Sequence, residues 1–363
     1  MPKRQRPVLE LLNLAKRSIC LPINCGLLAV ALTSSFASAA LPIMASPENI
    51  SKTVLVGRYT LDLPYDAVMS GASLDLDGLP LTITPGYIKA QAMREAQKAW
   101  LAIESRNSAN AENPAIQETL PDGARLYKYD YTRITGEDLD GSPVNKVVYS
   151  TVAYQWANNL KFELGNDSTL NKDEQIKSIL QHLDRNSDTR HPGVCFVDGC
   201  LPHSPGDEGV YVHFTFTEHP KLRAKFTSKQ YAGEAKPALA ERAGSEPSPR
   251  DQAVWQLRSK AEHRAYRNTK RTVNGVLGEE VIEANTQKTA GGYLTEINAI
   301  WYFPGIPNIK DQPELRLDLD YSFTSNQKPA AGTGFSNPEE PNALTEAEFM
   351  SIWDAALDSL TAR

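Results

Sequence analysis

The sequence predicts an α+β fold of two lobes, each an antiparallel sheet with helices packed on one face. Three features of the 363-residue chain point there. Short runs that alternate apolar and polar residues mark many strands. A few longer segments repeat apolar residues at helical spacing. The order of these elements, strands then a long helix, three strands and a short helix, occurs twice.

The first thirty-nine residues stand apart from both lobes. Lys3, Arg4, Arg6, Lys16 and Arg17 make a basic front end, and Gly26 to Phe36 is an uncharged apolar run. Ala37-Ser38-Ala39 then offers small residues at both positions read by signal peptidase. This is the pattern of a secretory leader, with mature protein starting at Ala40. The apolar run is shorter than the roughly 20 residues that span a bilayer.

In the first lobe, residues 40–188, Val54 to Leu63 reads as a strand ended by Pro64. Leu74 to Thr84 alternates around Asp77-Gly78 and reads as a strand or short hairpin. Tyr87 to Arg106 is a helix with Ile88, Met93, Ala96, Trp100 and Ile103 on one stripe. Strands over Ala124 to Ile134, Val144 to Trp156 and Leu160 to Leu164 follow, the first two joined by the turn Asp138 to Gly141. A short helix over Asp173 to Leu183 closes the lobe, and the polar stretch Asn186 to Pro192 marks the boundary.

The second lobe, residues 189–363, opens with Cys195 and Cys200 around Asp198-Gly199, a favoured hairpin turn. Cys20 and Cys25 leave with the leader, so these two are the cysteines of the mature chain. Export permits oxidation, and a disulfide closing so short a loop contributes roughly 2 kcal/mol. Zinc is the rival, since His191, Cys195, Cys200 and His203 lie within thirteen residues. Strands over Gly209 to Thr217 and Lys221 to Phe226 come next, then a polar loop and a helix over Arg250 to Tyr266. Strands over Thr272 to Glu283, Tyr293 to Phe303 and Glu314 to Phe323 precede the closing helix, Thr345 to Leu360. That helix carries Phe349, Ile352, Trp353, Ala356 and Leu357 on one stripe.

Charge and motif narrow the function. The chain has 38 Lys and Arg against 44 Asp and Glu, a net −6, which loss of the leader's five bases and one acid takes to −10. Such a surface argues against nucleic acid and against anionic lipid headgroups, and no segment after the leader is apolar enough to insert in a membrane. No G-x-S-x-G elbow, H-E-x-x-H helix or S-x-x-K with K-T-G is present. Gly275 to Gly278 runs into Glu279-Glu280, which would repel a phosphate. His213, within an apolar alternation, reads as a sheet-surface residue. These features describe a binding protein without cofactor, with an exported hydrolase using a His/Cys metal site, or an envelope scaffold or sensor, as alternatives.

Several segments share a pattern. They are Gly275-x-x-Gly278-Glu279-Glu280, Pro313 to Leu319, and Leu344-Thr345-Glu346-Ala347-Glu348 through Ile352-Trp353-Asp354 to Leu357-Asp358-Ser359-Leu360. Val56-Gly57-Arg58-Tyr59 to Pro64 adds a match in the first lobe. The chain resembles the periplasmic immunity proteins that neutralise antibacterial phospholipase effectors of the type VI secretion system, those cognate to the fourth lipase class. It departs from them at Thr361-Ala362, where an Arg is usual. The resemblance implies a cognate phospholipase as protein partner and inhibition by steric cover of its active site or lid. The loops Tyr231 to Pro249 and Gln327 to Pro341 are then candidate recognition surfaces. Independently of the family, adjacent Glu279 and Glu280 face opposite sides of a strand. One must turn inward toward an Arg, with Arg271 and Arg316 the candidate partners, because a buried carboxylate needs a counter-charge.

The leader makes the first testable expectation. Protein extracted from the cell envelope should have the intact mass of a chain beginning at Ala40; a mass that retains residues 1 to 39, found in the cytoplasm, would refute the assignment.

Overall fold

Antiparallel pairing organises the described residues. The computed structural model describes residues 51–107, 112–166, 171–181, 183, 193–196, 199–201, 207–239, 261–328 and 343–363. The first half comprises β1 (Ser51–Gly57), β2 (Tyr59–Pro64), β3 (Ala67–Leu76), β4 (Pro80–Pro85), α1 (Lys89–Asn107), β5 (Ile116–Thr119), β6 (Arg125–Glu137), β7 (Pro143–Ala157), β8 (Leu160–Asn166) and α2 (Asp173–Gln181). The second comprises β9 (Val194–Phe196), β10 (Gly199–Leu201), β11 (Glu208–Phe216), β12 (Leu222–Lys229), β13 (Glu262–Val273), β14 (Val276–Thr289), β15 (Gly292–Phe303), β16 (Glu314–Ser325), α3 (Glu346–Ser359) and β17 (Thr361–Ala362).

The expected repeat of element order is present in the sheet topology. From its centre outward, the first half runs β3-β4-β8-β7-β6-β5, and the second runs β11-β12-β16-β15-β14-β13. Both halves thus follow the same path. They do not keep separate sheets, however. β3 and β11 pair along their lengths, from Leu76↔Glu208 to Ala67↔Phe216, and fuse the halves into one twelve-stranded sheet. Each strand would otherwise present an open row of backbone donors and acceptors, and pairing satisfies both rows. A smaller sheet, β10-β9-β1-β2-β17, repeats the device, with β1 of the first half paired to β9 of the second.

Two local readings change, and a third, left between two alternatives, is decided. Val54 to Leu63 is not one strand but the β1–β2 hairpin, turning at Gly57 with φ +66°. A side chain there would also be strained and would stand 3.1 Å from Val210 Cγ2. Leu74 to Thr84 resolves into the β3–β4 hairpin, whose tight turn places Asp77 and Gly78 at positive φ. The expected helix over Arg250 to Tyr266 gives way at its end to strand: β13 runs from Glu262 and pairs His263 with Asn285, while residues 250–260 lie outside the described ones. The boundary stretch 186–192 also lies outside them.

One hydrophobic cluster holds inward residues of both sheets, among them Val56 and Leu61 of the small sheet and Val212, Phe226, Leu317 and Trp301 of the large one. Ile176 and Leu180 of α2, and Phe349, Trp353 and Leu357 of α3, belong to the same cluster. α1 packs elsewhere: Ala96 and Ile103 cluster with Tyr127, Val152 and Tyr154. Leu126 and Ala153, their strand neighbours, belong to the main core. Because neighbours on a strand face opposite ways, α1 and α2 touch opposite faces of β6 and β7, not one face as expected. Those strands are apolar on both sides and need cover on both. The third helix is capped as its sequence suggests: Thr345 Oγ1 accepts from Glu348 N–H, and Glu348 Oε2 accepts from Thr345 N–H. No helix among the described residues is long and apolar enough to cross a membrane.

Gly278 is where this packing is least forgiving. A Cβ added there would lie 2.5 Å from Cε2 of the fully buried Trp301, whose indole N–H donates to the Arg271 carbonyl. Gly278→Ala should therefore cost about 1–3 kcal/mol, read as a lower melting temperature with an otherwise native circular-dichroism spectrum; an unchanged melting temperature would refute the packing.

Candidate functional site

Glu280 is the charged residue most deeply set among the motif residues. Its side chain is 4% exposed and its Oε1 accepts from Trp353 Nε1 at 2.7 Å, Arg271 Nη1 at 2.9 Å and Arg267 Nη1 at 3.2 Å. Arg267 grips Asp354 with both terminal nitrogens, at 2.6 and 2.8 Å, and Arg271 reaches Asp354 at 2.6 Å and Asp358 at 2.6 Å. The hydrogen bonds from Arg267 first, and then those from Arg271, hold the Asp354 carboxyl below its ordinary range. Two guanidinium groups thus share three carboxylates and tie α3 to the β13–β14 hairpin. With its buried carboxylate held by two guanidinium groups and an indole N–H, the cluster is suited to holding structure.

The four candidate charges separate into distinct settings. Arg271 and Glu280 meet. Glu279 faces the other side of β14, where its Oε2 accepts from Leu239 N–H at 2.6 Å. Arg316 does not reach either glutamate; it binds Asp318, two residues along its own strand, at 2.5–2.8 Å. The register explains this. Glu279, Tyr302 and Arg316 sit opposite one another on β14, β15 and β16, so the buried Tyr302 stands between the two charges. Arg267 was missed, although it lies four residues before Arg271, a spacing that puts two strand residues on one face.

Cys195 and Cys200 occupy directly paired positions on β9 and β10, with a Cα–Cα distance of 4.0 Å, and their sulfurs are bonded. His191 and His203, the other members of the metal alternative, lie outside the described residues. The disulfide sits beside a second junction that sequence reasoning missed. Arg58 donates from Nε and Nη2 to the two oxygens of Glu208, each at 2.7 Å, and the Glu208 side chain is 5% exposed. Arg363 adds bonds from Nη2 to the carbonyls of Gly57 and Gly193, at 3.0 and 2.6 Å. First half, second half and chain end are joined at this point.

One face of the second half's sheet carries polar side chains, with Asp318 buried among them. His213, Lys225 and Asp318 lie in one row across β11, β12 and β16, with Arg223 and Asp320 in the row two residues away. Burial and then Lys225 hold the His213 imidazole below its ordinary value. Asp320 keeps part of its surface in solvent, yet crowding and the adjacent Asp318 push its carboxyl from an ordinary 3.8 up to about 6. Among the described residues no three His, Cys, Asp or Glu side chains are grouped to hold a metal ion.

Residues 189–363 match the model of the Tle cognate immunity protein 4 C-terminal domain. Over that segment the chain is similar to immunity proteins. The resemblance read from Gly275 to Leu360 falls inside the matched segment. A family of immunity proteins also accords with the reading of a binding protein that is not an enzyme. Two solved structures share the fold over 86% of this chain: the immunity protein TplEi of the type VI secretion system from Pseudomonas aeruginosa, complexed with an "L" peptide, and the Tle4–Tli4 complex. The first is 19% identical with a TM-score of 0.56 and is covered over 98% of its length; the second is 18% identical with a TM-score of 0.57 and is covered over 97%. The apo form of TplEi aligns equally, at 18% identity and a TM-score of 0.55. A search of curated proteins returns no significant match. At these identities the likeness is one of fold, and it extends beyond the immunity-family domain into the first half.

Asp320 gives this immunity-protein fold a pH signature. A carboxyl whose folded value is near 6 binds more protons folded than unfolded between about pH 4 and 6, so its contribution to stability falls as pH rises through that window. Asp320→Asn should raise the melting temperature at pH 7.5 and change it little at pH 4; a lower melting temperature at pH 7.5 would contradict the assignment.

Proposed function

We propose that this chain is an immunity protein that binds a type VI secretion phospholipase effector in the periplasm and blocks it sterically, over its active site or lid. The observation that carries the proposal is the family match over residues 189–363. The shared fold with one partner of the Tle4–Tli4 complex supports it. The leader through Ala39 supports a periplasmic site of action, where an incoming lipase meets its phospholipid substrate. The division into a leader of residues 1–39 and halves 40–188 and 189–363 belongs to the same proposal.

Steric inhibition suits what the chain contains. It needs a rigid scaffold, a large interface and slow dissociation, and no catalytic group of its own. The fused sheet supplies rigidity. An acidic net charge speeds encounter with a basic patch, and that enhancement should fade with salt. Of the two loops expected to recognise the partner, residues 231–239 and 327–328 are described and the remainder lies outside the described residues. Cys195 and Cys200 act in this reading as a staple, and the Glu280 cluster as a brace.

The test is protection. Cells that direct a candidate lipase effector to the periplasm should survive when they co-express this precursor, and should lyse when they express a form lacking residues 1 to 39. Panels of class-four lipases supply the candidates, with a known cognate inhibitor as positive control. If no lipase in the panel is neutralised while each control inhibitor protects against its own effector, the proposal fails.

A further inference from the structure

The two halves share a sheet path, and the point where they differ most is the β6–β7 hairpin. Its counterpart, β14–β15, is flanked almost to its tip: β13 pairs as far as Thr286, and β16 as far as Tyr293. In the first half the flanking strands stop early. β5 pairs with residues Arg125 to Lys128 only, and β8 pairs with Thr151 to Ala157. The rungs from Thr132↔Val148 to Glu137↔Pro143 therefore have no third strand on either side among the described residues. A two-stranded finger projects from the sheet.

Its root is held from both faces. A bulge interrupts the ladder between Tyr129 and Thr132, with Asp130 at φ +52°. Bulges bend and twist a strand pair, and so re-aim whatever lies beyond them. The end of α1 secures this one: Asp130 N–H donates to Asn107 Oδ1 at 3.1 Å, and Arg106 Nη2 donates to Asp130 Oδ2 at 2.8 Å. On the opposite face the first residue of α2, Asp173, accepts from Lys128 Nζ at 2.7 Å and from Tyr149 OH at 2.9 Å, while the rings of Tyr131 and Tyr149 pack at 5.1 Å.

The tip is equally ordered. Asp138 N–H donates to the Ser142 carbonyl at 2.8 Å, Gly141 N–H donates to the Asp138 carbonyl at 2.8 Å, and Ser142 N–H donates to Asp140 Oδ1 at 2.9 Å. On this fixed turn Leu139 stands fully exposed. Around it are Glu137, Asp138 and Asp140, with no Lys or Arg between Glu137 and Pro143.

We propose that the β6–β7 hairpin is a preformed docking finger, and that Leu139 enters an apolar pocket with a basic rim on the effector protein. The proposal rests on the immunity reading above. A lone apolar side chain on an already ordered turn loses little conformational freedom on binding, which is what an anchor residue requires. The three carboxylates select the rim. They also exclude two other occupants: a second copy docked tip to tip would oppose like charges, and an anionic lipid surface would repel them.

Leu139→Ala and Leu139→Asp, made in the full mature chain, test it against the lipase that wild type neutralises. Titration calorimetry should show affinity at least about tenfold weaker for Leu139→Ala and weaker still for Leu139→Asp, with melting temperatures unchanged because the side chain packs against nothing. A photo-crosslinking amino acid at position 139 should capture the lipase. If wild type binds, both variants bind within twofold of it and position 139 captures nothing, the finger is refuted while the immunity reading stands. If variants lose self-association instead, a chain-to-chain contact replaces the proposal. If wild type neutralises and binds no lipase, both readings fall together.

Discussion

The pairing of β3 with β11 is the constraint on which the rest of this structure depends. It joins two half-sheets of identical strand order across their inner edges, and everything else is arranged around that seam. Val210, Val212 and Phe214 of β11 align with Leu74, Ala72 and Met69 of β3, so one face of the seam is apolar and enters the main core. A slip of one residue would turn that apolar set outward, which fixes the register. Two lobes hinged on a linker could open and close; two lobes sharing a ladder move as one piece unless the ladder breaks. Close above the seam, the Arg58–Glu208 pair and the Arg363 bonds to Gly57 and Gly193 reinforce the same junction.

Buried charge in this protein is found where elements distant in sequence must meet at one orientation. Glu280 fixes α3 against β14 through Trp353, and Glu208 fixes the β1–β2 turn against β11. Each carboxylate is enclosed by guanidinium donors, as desolvation demands. Such clusters add less net stability than an apolar contact of the same area, but they tolerate few alternative geometries. Trp353, Asp354 and Asp358, neighbours on α3, take part in the first of these clusters. Rigidity of this kind is what a steric inhibitor uses, because energy otherwise lost in ordering the surface goes into holding the partner.

Repetition also separates scaffold from recognition. Where the halves agree, in strand order and in the paired hairpins of the small sheet, packing explains the agreement. The β6–β7 hairpin breaks the correspondence by extending past its neighbours, and helices grip its root from opposite faces. Beyond Val148 the extension buries little of its own, so packing alone does not account for it.

Composition and pattern alone determined much of this. The repeated element order, the helices beginning near Lys89, Asp173 and Glu346, the Cys195/Cys200 hairpin and the inward turn of one of two adjacent glutamates are all local signals, carried by residues within a few positions of one another. Periodicity and turn chemistry report such features because their cause is local. The union of the half-sheets, the partnership of Arg316 with Asp318, the entry of Arg267 into the Glu280 cluster and the placement of α1 and α2 on opposite faces required the tertiary structure. Each depends on which strand lies next to which, and pairing partners can be a hundred residues apart with no mark in the sequence. A strand rich in Ser and Gly, such as the start of β3, gives little alternation to read, yet it became the centre of the molecule because its edge was the one that β11 could complete.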